Sequence, residues 1–249
     1  MVPSRARNMP GQQIIAALLS CATLIGGINK PLYAQSPVLA EIRGKITITN
    51  PGEGESDQAH QDLFGGYMAH GEREALLSLR DSEPVRSRLS EKAVVYLESE
   101  DANRGKYPPP RKNPVLNQKG LQFHPQVLPI LVGTTVDFPN RDNLFHNVFS
   151  YSQPREFDLG RYPKDDSRSV TFDVPGTVRV YCDIHTRMSA TILVLQHPFF
   201  ASVGDAGEYL IPNVPPGKYT MVFWYGREIA ERRPVTVRAG DSIEADFTH

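Results

Sequence analysis

The chain has 249 residues, a formal net charge of −1, 21 prolines and 19 glycines. This charge balance argues against a basic surface for nucleic acid or anionic membranes, so we expect no nucleic-acid partner. Because the prolines and glycines separate short β-branched and aromatic runs, the composition predicts an all-β protein with many turns.

The N-terminus has the pattern of an export signal. Its first ten residues carry two arginines and no acid, an apolar run follows at 14–28, and a small-residue cleavage pattern ends at Ala34. We therefore predict a signal peptide at residues 1–34, a mature chain without a transmembrane segment, and a periplasmic or secreted location. Cys21 faintly resembles a lipoprotein cysteine, and lipid anchoring there stays open.

The next part of the chain contains two strand patterns that are far apart. The first is an alternating run at 40–49, and the second is "AVVYLES" at 93–99. A polar insertion at 50–91 separates them. Residues 100–117 are rich in proline and charge, so we interpret them as a linker.

Strand patterns become dense between residues 118 and 197. Seven short apolar or alternating runs occur there, which is the density of a β-sandwich. Alternation along "TVRVYC" places Val178, Val180 and Cys182 on one face. We therefore predict that the cysteine sulfur points into the end of this sandwich.

The tail at 198–249 alternates strands with turns and predicts a second, smaller sandwich. Its run "GDAGEYLIPNVPPGKYTMVFW" resembles the closing half of carboxypeptidase regulatory-like (transthyretin-like) domains, and residues 44–49 with 93–97 resemble the opening half. The resemblance implies one discontinuous sandwich made of 40–99 and 198–249, with 118–197 inserted. In the alternative arrangement, "AVVYLES" is the first strand of the inserted domain and the tail stands alone.

Cys182, His185 and Met188 follow one another at three-residue intervals in "CDIHTRM". Residues three apart face opposite sides of a strand, and on a helix the three would climb about 9 Å while turning round the axis. Neither arrangement brings them to one point, whereas a tight loop does. The strand patterns "TVRVYC" and "ATILVLQ" on either side predict such a loop.

A thiolate, an imidazole and a thioether form a soft set of metal donors. With a second histidine they make the His₂Cys site with a weak axial methionine that is typical of blue copper proteins. His146, in "NLFHNVFS", lies far enough upstream to come from another strand end at the same rim. The sequence therefore predicts one type 1 copper bound by residues of both segments.

Residues 123–195 resemble a cupredoxin of the amicyanin and plastocyanin type. The matching pattern consists of Phe123-x-Pro125, "VGTTVDFPNRD", His146-Asn147, and "PGTVRVYC" followed by His185 and Met188. The resemblance implies a Greek-key β-sandwich. Those proteins have a proline beside the loop histidine, where this chain has Ile184 and Thr186.

The resemblance also assigns roles to the site residues. His146, Cys182 and His185 would be equatorial ligands and Met188 the axial one. The backbone of Asn147 would hydrogen-bond the cysteine sulfur and tune the metal.

The function implied by the resemblance is electron transport. The chain would carry single electrons between redox proteins, such as a dehydrogenase, a cytochrome or an oxidase, and would not be an enzyme. The exposed edge of His185 would be the main electron port, and Tyr181 is either a second route or an ordinary strand residue. The alternative function is copper binding, or interaction through a β-sandwich, without redox turnover.

Other chemistries fit the residues less well. A binuclear copper site needs two bridging cysteines, a multicopper oxidase needs paired His-x-His motifs, and zinc rarely takes a thioether. A cysteine nucleophile would need a group to orient His185, and no such partner is evident. His60 and His70, in the polar insertion, offer a second pair of metal donors with little else to support a site.

Overall fold

The structure is a computed structural model that describes residues 38–49, 88–99, 101–102 and 107–249. The predicted signal peptide, Cys21, most of the polar insertion, and both His60 and His70 lie outside the described residues. In the described part of the chain, no helix has the length and apolar character needed to cross a membrane.

Strands dominate the described residues, which confirms the predicted all-β sandwich class. One short helix, α1 (Leu89–Lys92), precedes the second strand. The strands are β1 (Ala40–Thr47), β2 (Ala93–Glu98), β3 (Asn117–Lys119), β4 (Gln122–His124), β5 (Val127–Leu131), β6 (Thr134–Pro139), β7 (His146–Ser152), β8 (Arg155–Tyr162), β9 (Ser167–Phe172), β10 (Gly176–Tyr181), β11 (Ser189–Leu195), β12 (Phe200–Ser202), β13 (Glu208–Val214), β14 (Gly217–Tyr225), β15 (Glu228–Val237), β16 (Ser242–Glu244) and β17 (Phe247–Thr248).

Strands β3 to β11 surround one apolar core, which we call the site core. A five-stranded sheet has the order β5-β11-β10-β7-β8, and two pairs, β6-β9 and β3-β4, complete this part. Inward residues of β6, β9 and β10 meet in the core, among them Phe138, Phe172 and Val178, each fully buried. Leu116, in the predicted linker, is also fully buried in this core.

The remaining strands surround a second core, which we call the tail core. One sheet has the order β13-β1-β16, with β17 also paired to β1, and the other has the order β12-β2-β14-β15. Ile42 and Ile211 from the first sheet pack with Leu97 and Phe223 from the second. We propose that these strands form the discontinuous sandwich expected from 40–99 and 198–249. The likeness to regulatory-like domains stays a prediction.

Strand β2 is buried on both faces, which explains why its sequence is apolar without alternation. Val95 and Leu97 point into the tail core, whereas Val94 and Tyr96 belong to a third cluster. This bridging cluster joins β2 and β14 to β5 and β11 of the site-core sheet. Its buried members are Val94, Tyr96, Val127, Leu193, Val222 and Trp224.

Candidate metal centre

The loop between β10 and β11 is closed by its own backbone. Tyr181 and Ser189 are the last paired residues of the two antiparallel strands, so seven residues form the connection. The Cys182 N–H donates to the Met188 carbonyl at 3.1 Å, and the Met188 N–H donates to the His185 carbonyl at 2.9 Å. These bonds fold the loop tightly, so that Cys182 and His185 face the same point.

The structure brings three nitrogen and sulfur donors together. The Cys182 Sγ lies 3.8 Å from the Nδ1 of His146 and 3.6 Å from the Nδ1 of His185. The two Nδ1 atoms are 3.0 Å apart. His146 is the first residue of β7, which pairs with β10, and this pairing carries the distant histidine to the loop.

Burial differs among these residues. The His146 and Cys182 side chains are buried, whereas His185 is half-buried. Met188 is 1 % exposed and belongs to the site core with Cys182. Two buried donors and one half-buried histidine therefore lie together, and Met188 lies in the same loop as Cys182 and His185.

The environment of Cys182 favours its thiolate. Burial opposes ionisation, but hydrogen bonds from His146, His185 and the backbone of Asn147 outweigh it and lower the pKa of Cys182 to about 5. The Asn147 side chain is held by donation from its Nδ2 to Asp158 at 2.7 Å. The loop therefore offers a ready anionic ligand, and the role expected for the Asn147 backbone stays a prediction.

Tyr181 lies on the outer side of the sheet beside other aromatic residues. Its ring centroid is 5.9 Å from that of Phe149, which is 5.1 Å from that of Tyr151. Tyr151 is 80 % exposed. An aromatic row therefore runs from the residue next to Cys182 to the surface.

Asp142 contacts the site, although no pattern in the sequence predicted a role for it. Its Oδ2 lies 2.9 Å from the Nε2 of His146. Burial works against the imidazolium, but the bonds of His146 to Asp142 and Cys182 outweigh it and raise the pKa of His146 to about 8. A carboxylate four residues before a candidate ligand, in "DNLFH", was the available signal.

The donor set and its spacing fit a copper ion. A point equidistant from three atoms at these separations lies about 2 Å from each, which is close to metal–nitrogen and metal–sulfur bond lengths. One thiolate and two imidazoles suit copper, and the neighbouring thioether is a soft donor. Within the described residues, His146, Cys182 and His185 form a cluster compatible with a copper site.

Comparison with known proteins gives matches only among solved structures. No family model matches the chain, and neither does any curated protein. A mutant of amicyanin in its reduced state is 26 % identical, with 42 % of this chain and 99 % of that chain covered and a TM-score of 0.32. A purple cupredoxin from Nitrosopumilus maritimus is 23 % identical, with coverages of 32 % and 96 % and a TM-score of 0.30. Each is a cupredoxin similar to part of this chain.

A larger protein is also similar to part of the chain. The copper-containing nitrite reductase NirK from Thermus scotoductus SA-01 is 29 % identical, with 37 % of this chain covered and a TM-score of 0.33. The match spans about a quarter (24 %) of that protein's length.

This similarity corrects the prediction that the chain is not an enzyme. The nitrite reductase is itself an enzyme, so that exclusion is wrong as it was drawn. The physical reason is that the ligand pattern describes how a copper ion is held. It carries no information on whether another centre consumes the electron.

Proposed function

We propose that this chain is an exported protein that holds one type 1 copper and passes single electrons between redox proteins. The observation that carries the proposal is the convergence of one sulfur and two imidazole nitrogens at separations of 3.0 to 3.8 Å. These donors come from two segments far apart in sequence.

In this proposal His146, Cys182 and His185 are the equatorial ligands, and Met188 is the axial one. When bound, copper supplies one-electron chemistry by alternating between Cu(II) and Cu(I). The chain holds the donors on the ends of β7 and β10 and in a loop closed by two backbone hydrogen bonds. A frame of this kind limits movement of the ligands between the two oxidation states.

Electrons have two routes in this proposal. His185 would provide the shorter route, because it is a proposed ligand and is itself only half-buried. The second route leads from Cys182 through Tyr181 and Phe149 to Tyr151, whose ring is exposed. The ring separations of 5.9 and 5.1 Å support it.

The proposed location is the periplasm or the exterior, and the proposed partners are a dehydrogenase, a cytochrome or an oxidase. The basic and apolar pattern of residues 1–34 supports export. A lone cysteine in an oxidising compartment is exposed to mispairing, and service as a metal ligand accounts for Cys182.

The test is to load the mature protein with Cu(II) and to record visible absorption and electron paramagnetic resonance. We expect an intense blue colour that a mild reductant bleaches and an oxidant restores. The Cys182→Ser variant should lose the colour completely, because the sulfur–copper bond produces it. Blue colour in that variant would contradict the ligand assignment, and a colourless protein that keeps Cu(I) against oxidants would favour copper binding without redox turnover.

A further inference from the structure

We propose that Asp142 is a positioning residue of the metal centre, whose buried carboxylate orients His146 and favours Cu(II) over Cu(I). The inference rests on the proposed copper site and adds a residue outside its ligand set. In this inference the tip of the β3-β4 hairpin, which holds the Asp142 carboxylate, helps to set the reduction potential.

The first observation is the pairing of both ring nitrogens of His146. Its Nε2 lies 2.9 Å from the Oδ2 of Asp142, and its Nδ1 faces the Cys182 sulfur at 3.8 Å. A carboxylate at Nε2 fixes the proton on that nitrogen and leaves the Nδ1 lone pair for a metal. The contact therefore selects which nitrogen can be the ligand.

The second observation is that the carboxylate is itself held in place. The Gly120 N–H donates to Oδ1 at 2.6 Å, and the Leu121 N–H donates to Oδ2 at 3.0 Å. Both residues have left-handed backbones, with φ of 63° and 58°, which directs two successive N–H groups to one side. The hairpin tip thus forms an anion-binding concavity around the Asp142 side chain.

The backbone of Asp142 is also fixed. Its N–H donates to the Asn140 side chain at 2.9 Å, and the Asn140 Nδ2 donates to the Leu144 and Tyr162 carbonyls at 2.7 and 3.1 Å. The loop between β6 and β7 is therefore hydrogen-bonded on both sides of the carboxylate. An orientation held at this many points is preorganised and does not depend on the metal.

The third observation is the burial of the charge. Asp142 is 7 % exposed, and its ion-pair partner among the described residues is His146. A carboxylate in such surroundings interacts more strongly than in water, and through the imidazole it raises electron donation from Nδ1. More donation stabilises the higher charge of Cu(II) more than that of Cu(I).

Asp183 is a second aspartate close to the proposed ligands and serves as a control for Asp142. It directly follows Cys182, but its side chain is 65 % exposed and lies 3.9 Å from Arg161. Solvent and the arginine screen this charge, so its effect on the metal should be small. Both aspartates are sequence neighbours of the centre, and only Asp142 bonds to a ligand ring.

The test compares Asp142→Asn and Asp183→Asn in the copper-loaded mature protein. For Asp142→Asn we expect a blue protein whose ratio of Cu(II) to Cu(I) affinity falls about ten-fold, equal to about 59 mV in a one-electron couple. The potential therefore rises, with a changed paramagnetic resonance spectrum. Asp183→Asn should change the ratio less than about two-fold. Equal potentials in the two variants would overturn the inference.

A measurement on the unaltered protein keeps the inference testable if Asp142→Asn does not fold. In the Cu(I)-loaded protein, proton–nitrogen correlation spectra should show a slowly exchanging proton on the Nε2 of His146. A proton that exchanges rapidly, or nitrogen shifts that identify Nε2 as the metal-bound atom, would overturn the inference. A wild-type protein that takes up copper without becoming blue would instead contradict the proposed function, which separates the two failures.

Discussion

The site core and the tail core differ in what they bury. In the described residues, every buried polar or charged side chain lies between residues 118 and 197, and all of them except His197, whose ring packs on Phe199, lie in the strands and loops around the site core. The tail core contains buried apolar and tyrosine side chains. A buried polar group is costly unless it is fully bonded, so a fold concentrates such groups where they serve a purpose. The region around the site core therefore holds the polar side chains near the metal donors, whereas the tail core is held together by packing of apolar and tyrosine side chains.

The largest expected effect on stability comes from opening the tail core. Phe223 is fully buried and its ring lies 5.2 Å from that of Phe247, so Phe223→Ala should lower the free energy of unfolding by about 3–5 kcal/mol. Denaturant unfolding followed by circular dichroism measures this change.

The control is Ile229→Ala in the same sheet, whose side chain is 36 % exposed and should cost less than about 1 kcal/mol. The visible spectrum of folded, copper-loaded Phe223→Ala should match the wild type. A changed spectrum would show that packing in the tail core also affects the metal centre, and would contradict the separation between the two regions.

A smaller effect is expected from the polar network of the site core. The Gln118 Nε2 donates to the Tyr162 hydroxyl at 2.6 Å and to the Phe138 carbonyl at 3.1 Å. Gln118→Leu should lower the free energy of unfolding by about 1–3 kcal/mol, because it leaves the tyrosine oxygen without a donor.

A double-mutant cycle with Tyr162→Phe measures whether Gln118 and Tyr162 stabilise the protein together. The tyrosine hydroxyl donates to the same Phe138 carbonyl at 2.9 Å, so the three groups form one unit. The double variant should lose less stability than the sum of the single variants. Strict additivity would mean that these buried groups act independently.

Met188→Leu should have a still smaller effect on the fold. The residue is 1 % exposed, and a substitution that conserves volume costs less than about 1.5 kcal/mol. The variant should keep its copper and its blue colour but shift its reduction potential, which cyclic voltammetry measures. An unchanged potential would place Met188 among the packing residues.

The subtlest prediction concerns the copper-free protein. Folding lowers the pKa of the Cys182 thiol from its ordinary value of 9.0 to about 5, so thiolate absorbance in the ultraviolet should appear as the pH rises through 5. The sign of the linkage follows: the stability contributed by this group is fully present above pH 9 and is lost as the pH falls through 5. The Cys182→Ser variant is the control, and a thiolate that appears only near pH 9 contradicts the prediction.

Local patterns predicted the all-β class and the loop at Cys182. Alternation in "TVRVYC" and the three-residue spacing of Cys182, His185 and Met188 depend only on backbone geometry, so they can be read from neighbouring residues. Long-range contacts are not needed to predict a loop that turns several side chains inward.

Long-range contacts account for what was missed. The role of Asp142 depends on Gly120 and Leu121, which only the fold brings to its carboxylate. Leu116 has a proline- and charge-rich neighbourhood, yet it packs in the site core, and its N–H donates to the Asp137 carbonyl at 2.9 Å. The residues next to Asp142 and Leu116 in sequence do not indicate which distant residues they contact in the fold.

The burial of β2 on both faces affects how cooperatively this protein unfolds. Val95 and Leu97 belong to the tail core, and Val94 and Tyr96 to the bridging cluster. Unfolding of the tail core or of the domain on the other side of the bridging cluster would expose one face of β2 to solvent. The two layers should therefore unfold together. We expect thermal bleaching of the copper colour and loss of the far-ultraviolet circular dichroism signal to share one midpoint, because both layers pack on the same strand.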